Sequence, residues 1–206
     1  MKFILGTKLN MSQVWTEDGK ATPVTVISAG PNIVTQVRTA EKDGYSALQI
    51  GFGERNAKNL SKPVKGHLKT LGNFAVLKEF RVEAAPTMAV GDKIDASTFK
   101  VGDEIVISSI SKGRGFQGGV KRHGFHGGSR THGQKHSERE PGGIGGGGRA
   151  GGRVAKGIRM AGRMGGNRVT VKGVRIVQVD AVKNIILVSG AVPGRRGTFV
   201  EIRESI

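Results

Sequence analysis

No cysteine occurs in the 206 residues, which excludes a disulfide framework and any thiolate metal site and fits a reducing compartment. Aromatic residues are few, one Trp, one Tyr and eight Phe. That is too few for the stacking platform of a single-strand binder that reads sequence base by base. Long apolar runs are missing too: Phe3, Ile4 and Leu5 are followed at once by Gly6, Thr7 and Lys8, far short of a signal-peptide core or a membrane span. A soluble intracellular protein is expected. Acidic residues are scarce, 16 against 33 Lys and Arg, for a net charge of +17. An excess of this size points to an anionic partner, nucleic acid first and a membrane surface second. The membrane alternative needs a basic amphipathic helix, and the basic residues here lie among glycines that would break one.

The charge is concentrated. Ser111 to Arg168 holds 20 of the 34 glycines and 13 Lys and Arg, opposed only by Glu138 and Glu140, for a local net charge of +11. Its apolar residues are scattered: Phe116, Val120, Phe125, Ile144, Val154, Ile158, Met160 and Met164. So little apolar surface cannot offset the entropy of ordering a backbone that glycine makes freer still. A partner must hold the segment in shape, and its charge makes that partner a polyanion.

The rest of the chain reads as β structure. Pro23–Ile27, Ile33–Val37 and Tyr45–Phe52 are short β-branched runs separated by turn residues at Gly19-Lys20, Gly30-Pro31-Asn32 and Lys42-Asp43-Gly44. Leu48, Ile50 and Phe52 share one face at period two. Lys2 to about Gly53 is therefore expected to form a small antiparallel sheet or barrel. A short helix is expected over Val64–Leu71 behind Pro63, a strand over Leu77–Val82 and a loop over Ala84–Lys100. Glu104–Ile110, Val169–Val171, Val174–Val179, Ile185–Ser189 and Thr198–Arg203 read as strands, with a bulge at Gly173. The fold class is mainly β: an antiparallel β-barrel body, a small α+β insertion, and a long irregular glycine-rich basic extension inserted between strands. In domain terms, residues 1–110 and 169–206 form the barrel body, with 54–100 a smaller insertion of helix and loop. Residues 111–168 form the extended basic loop. A structureless loop of that length inside a domain points to function.

Gly113-Arg114-Gly115-Phe116-Gln117-Gly118-Gly119-Val120 matches the GxGxxG dinucleotide pattern and its kinase form GxGxxGxV, and it follows a predicted strand. A dinucleotide site needs a helix directly after the turn, and Gly118-Gly119 starts one poorly. The kinase form needs a strand lysine, a catalytic Asp with its Asn and an Asp-Phe-Gly, which are missing. A match of this kind arises easily where a third of the residues are glycine. His123, His126, His132 and His136 are spaced as metal ligands could be, but structural zinc sites usually include Cys or carboxylate. They fit better as RNA contacts, stacking on bases or bonding phosphates. No Ser/His/Asp, paired-carboxylate or His-Glu-x-x-His arrangement is present, so no catalytic residue, metal or cofactor is expected. No small-molecule substrate is expected either.

The stronger signal is the recurrence of Lys112, Arg114, Lys121, Arg122, Arg130, Lys135, Arg139, Arg149, Arg153, Lys156, Arg159, Arg163 and Arg168 with glycines between them. Glycine lets backbone N–H groups approach phosphate oxygens, and Arg adds forked donors and a planar stacking surface. With no regular helix or strand expected there, the charges are not simply a solvated face. They point to recognition of folded RNA by shape and phosphate, with His123, His126 and His132 beside them.

The chain resembles the L-three family of large-subunit ribosomal proteins, in its bacterial form, from end to end. The blocks that carry the likeness begin with Gly6-Thr7-Lys8, Pro23-Val24-Thr25-Val26, Glu41-Lys42-Asp43-Gly44-Tyr45 and Gln49-Ile50-Gly51-Phe52. Ser111 to Gly118, Met160-Ala161-Gly162-Arg163-Met164-Gly165, Arg168-Val169-Thr170-Val171 and Gly190-Ala191-Val192-Pro193-Gly194 continue it in order. The resemblance implies a barrel body and an extension reaching through 23S ribosomal RNA toward the peptidyl transferase centre. It further implies binding near the 3′ end of that RNA early in assembly, contact with large-subunit proteins fourteen and nineteen, and a cytoplasmic place in the 50S subunit. The alternative is a free-standing RNA-binding protein or RNA chaperone. Two departures stand out. Asn10 replaces a glycine usual before Met11. The expected tip, Gly145-Gly146-Gly147-Gly148, lacks the glutamine that many bacterial members carry methylated, since no Gln lies between Gln134 and Gln178.

Overall fold

Along the chain of the computed structural model, β1 (Phe3–Trp15) and β2 (Ala21–Ala29) are followed by β3 (Asn32–Arg38), the one-turn helix α1 (Ala40–Asp43) and β4 (Ala47–Glu54). Then come helix α2 (Lys62–Leu68), β5 (Phe74–Arg81), β6 (Lys93–Ile94) and β7 (Glu104–Ile110). The central segment carries β8 (Phe116–Gln117), α3 (Gly119–His123) and β9 (Gly162–Arg163), and the chain ends with β10 (Arg168–Asp180), β11 (Ile185–Ser189) and β12 (Phe199–Glu204). The structure describes residues 2–15, 19–82, 88–145 and 154–205. It divides into two compact units, one comprising the residues up to Ile110 and from Arg168 onward, the other Ser111–Asn167.

In the first unit, six strands close a barrel in the order β1-β12-β7-β10-β11-β2, with every neighbouring pair antiparallel. Ile4, Ile202 and Ile107 stand directly opposite one another across β1, β12 and β7 and are fully buried. Directly opposed residues share a face, so this row, continued by Ile186 opposite Ile27, fills the barrel interior. Closure leaves none of the six strands with an open edge. In β10 the register shifts between Val171 and Val174, where Gly173 takes φ +72°, and this is the expected bulge.

The expectation of one sheet over Lys2–Gly53 is corrected. β1 and β2 belong to the barrel, whereas β3 and β4 lie in a separate four-stranded sheet ordered β5-β4-β3-β6. Alternation specifies which face of a strand is apolar but not which strand lies beside it. Leu48, Ile50 and Phe52 are buried as their shared face requires, but Ala47 is buried as well. Within residues 54–100 the strand expected over Leu77–Val82 is β5, which starts earlier, at Phe74, and pairs with β4 from Glu54↔Phe74 to Ala47↔Arg81, while the expected loop over 84–100 also contains β6. The Lys42-Asp43-Gly44 turn is the end of α1, closed by Gly44 in the left-handed region.

The second unit is less irregular than expected. Ser111 N–H donates to Asn167 O (2.9 Å), Arg114 N–H to Met164 O (2.9 Å) and Met164 N–H to Gly115 O (2.9 Å). Phe116 and Gln117 then pair with Arg163 and Gly162. Two glycine-rich strands can form a ladder because it needs backbone groups, not apolar side chains.

Candidate nucleic-acid interface

Helix α3 organises the near half of the central segment. Gly118 precedes it in an extended conformation, and Gly124, at φ +72°, ends it by donating its N–H to the carbonyls of Gly119 and Val120. Lys121, Arg122 and His123 occupy its last turn, where the carbonyl end of the helix favours cations. Two of these side chains are used internally. Arg122 Nη1 donates to the Met160 carbonyl at 2.6 Å, and His123 Nε2 lies 2.9 Å from the same oxygen. A carbonyl can only accept, so Nε2 of His123 carries the proton.

Farther along, Gly128 N–H donates to Glu138 O at 2.9 Å, and Arg130 pairs with the Glu138 carboxylate at 2.5 Å. The Arg159 guanidinium stands 5.3 Å from the Phe125 ring centroid, within cation–π range. Lys112, Arg114, Lys121, Lys135, Arg139, Lys156 and Arg163 are exposed, as are His126 and His132, and none has a carboxylate partner among the described residues. Gly145 is exposed. Gly146, Gly147, Gly148, Arg149 and Arg153 lie outside the described residues.

Arg168 belongs to the barrel unit as the first residue of β10, opposite Ile110. It is ion-paired with Glu201, which also accepts Lys78 at 3.0 Å. Around this pair a cleft of about 220 Å³ is lined by Lys78, Arg81, Arg168 and Arg203 together with Glu79 and Glu201. Sequence reasoning missed Lys78, Arg81 and Arg203, because β5 and β12 are far apart in the chain and each presents its cations singly. Arg38 and Arg81 both sit on the Tyr45 ring, at 5.6 and 5.0 Å from its centroid. The Tyr45 phenol is held above its ordinary value, first by its hydrogen bond with Glu79 and then by desolvation.

The GxGxxG match does receive a helix directly after Gly118, contrary to the expectation. It is five residues long, and the two-residue strand before it pairs antiparallel with β9. A dinucleotide fold requires a parallel β-α-β unit there. Among the described residues no three His, Asp or Glu side chains cluster as a metal site, and no helix is long and apolar enough to cross a membrane.

Residues 78–184 match the family described as Ribosomal protein L3. Over 97% of its length the chain is 48% identical to the large ribosomal subunit protein uL3 of Herpetosiphon aurantiacus, covering 94% of that protein. It is 48% identical over its full length to that of Syntrophobacter fumaroxidans, covering 98%. For Prochlorococcus marinus the identity is 49% over 97% of the chain and 92% of the relative.

Proposed function

The chain belongs to the ribosomal protein L3 family, and from that premise we propose that this structural constituent of the large ribosomal subunit binds 23S ribosomal RNA, chiefly through the exposed cations of its central segment. Like its relatives it is a ribosomal building block, not an enzyme. The observation that carries the proposal is the charge state of Ser111–Asn167. Among the described residues eight of its Lys and Arg side chains, Arg159 included, are exposed with no carboxylate beside them, on a backbone with a small apolar complement. Mutual repulsion among them opposes order, and phosphates relieve it while releasing counterions.

The contact set consists of Lys112, Arg114, Lys121, Arg122, His123, His126, Arg130, His132, Lys135, Arg139, Lys156, Arg159, Arg163 and Arg168. Arg122, His123, Arg130 and Arg159 also shape the segment through the bonds described above, and Arg149 and Arg153 complete the set from outside the described residues. The family resemblance supports the finer points: attachment near the 3′ end of the RNA early in assembly, a segment directed toward the peptidyl transferase centre, and proteins fourteen and nineteen as neighbours. The barrel unit has its own hydrophobic core, to which the central segment contributes no buried residue. Deleting Gly118 to Lys156 is therefore expected to leave a folded body that no longer enters large subunits stably. Normal recovery of the deleted chain in salt-washed subunits would refute the proposal.

A further inference from the structure

Within the central segment a cleft of about 550 Å³ is lined by Phe125, His126, Gln134, Glu140 and Arg159, among others. That is within the range of small-ligand sites, roughly 300–1,000 Å³. Its walls differ from the open cationic surface around it. Phe125 is half-buried, whereas Phe116, the segment's other aromatic ring, is 76% exposed. The Phe125 ring lies against the backbone of Gly119, where an added Cβ would come within 2.7 Å of its Cδ2. The His123 imidazole, itself anchored to Met160, is 5.7 Å away, and the Arg159 guanidinium covers the ring at 5.3 Å. Ring, imidazole and guanidinium are flat groups of the kind on which unstacked RNA bases are received.

The opposite chemistry comes from Glu140. Of the segment's two acids, Glu138 is taken by Arg130, while Glu140 has no cation partner among the described residues and remains exposed. A carboxylate repels phosphate, so the Glu140 side of this cleft is not a phosphate cradle. It can only accept hydrogen bonds. Guanine alone among the RNA bases presents two neighbouring donors on its Watson–Crick edge, N1–H and the N2 amino group, matched to two carboxylate oxygens. Adenine and cytosine set a ring-nitrogen lone pair beside their amino group, and uracil flanks its N–H with two carbonyls. Each of those lone pairs would face the carboxylate.

We propose that this cleft receives one unstacked guanine of the bound RNA, stacked against the Phe125–Arg159 wall and held at its Watson–Crick edge by Glu140. The proposal rests on the RNA-binding function above and adds base selection to phosphate contact. The test assembles large subunits with the full-length chain, wild type, Glu140→Gln or Phe125→Ala, and treats them with kethoxal, which modifies N1 and N2 of accessible guanines. One guanine shielded by the wild type is expected to become at least about fivefold more reactive in each variant, the lower range for a bidentate base contact. Adenine and cytosine reactivities toward dimethyl sulfate should stay unchanged. Glu140→Gln alters an exposed side chain without changing its size, so it remains informative if Phe125→Ala disturbs the local fold. An unchanged guanine pattern in subunits containing Glu140→Gln, or a change confined to adenine or cytosine, would overturn the proposal. Failure of the wild-type chain to protect any RNA would overturn the RNA-binding function as well, a distinct result.

Discussion

Phe3 and Phe80 stack with ring centroids 4.6 Å apart and planes 10° from parallel. Both are 4% exposed. Phe3 lies on β1 of the barrel and Phe80 on the edge strand β5, so this contact joins the second sheet to the barrel. Phe3→Ala is expected to cost roughly 3–5 kcal/mol in urea unfolding, as for a buried aromatic. A double-mutant cycle with Phe80→Ala should show a coupling of about 0.5–1.5 kcal/mol. Strict additivity would mean that the two rings pack independently.

Lys2 Nζ lies 2.8 Å from Asp103 and 3.3 Å from Glu204, and the Lys2 backbone N–H donates to Glu204 at 3.1 Å. Asp103 is held below its ordinary value first by the Lys2 ammonium and then by the Lys100 N–H, and Glu204 first by the Lys2 backbone N–H and then by its ammonium. Lys2 is raised, first by Asp103 and then by Glu204. Depressed carboxylates contribute stability above their unfolded-state values and lose it as pH falls through the folded ones. The raised lysine contributes below its unfolded-state value and loses its contribution as pH rises through the folded one. Asp103→Asn should therefore lower the urea midpoint at pH 7, and the difference from wild type should shrink at a pH well below the ordinary aspartate value of 3.8. An equal difference at both pH values would exclude the ion cluster as its cause.

Gly165 has φ +72°, and a Cβ there would sit 2.1 Å from the Lys112 carbonyl oxygen. Gly165→Ala would therefore force apart the paired stem of the central segment, at a local cost on the order of 1–3 kcal/mol. The barrel's unfolding midpoint should change little, while retention in large subunits falls. A lower barrel midpoint with normal retention would contradict this.

Lys112 and Arg114 are exposed and have no carboxylate partner among the described residues. Each Lys112→Ala or Arg114→Ala change should flatten the plot of log affinity for 23S RNA against log salt by about 0.7–0.9. An unchanged slope would show that these side chains do not meet phosphate.

In the central segment some properties are fixed by composition and others by folding. Its glycine and charge content pointed to an anionic partner from composition alone, since net charge does not depend on conformation. Which cations face outward was not legible. Arg122 and His123 converge on Met160, Arg130 meets Glu138, and Arg168 meets Glu201; each of these partners is brought in by chain folding across a gap that composition does not encode. Glu140 is the clearest case. In sequence it is one of two neighbouring acids, and only the placement of Arg130 beside Glu138 leaves it open to a base.

The same division holds in the body. By itself the sequence determined where five of the six barrel strands occur, from alternation such as Ile105 and Ile107 or Val174 and Ile176, and that Gly173 interrupts one, because side-chain period and backbone strain are local properties; it did not mark β1, nor the short β6, β8 and β9. Tertiary structure alone decided that β1 and β2 close a barrel with β7, β10, β11 and β12 while β3 and β4 leave it for a second sheet. It also brought Lys78, Arg81, Arg168 and Arg203 around one cleft. Any of these strands offers an apolar face and a row of hydrogen bonds. The choice among partners is settled by closing the sheet and filling its interior, a non-local condition that no window of the sequence contains.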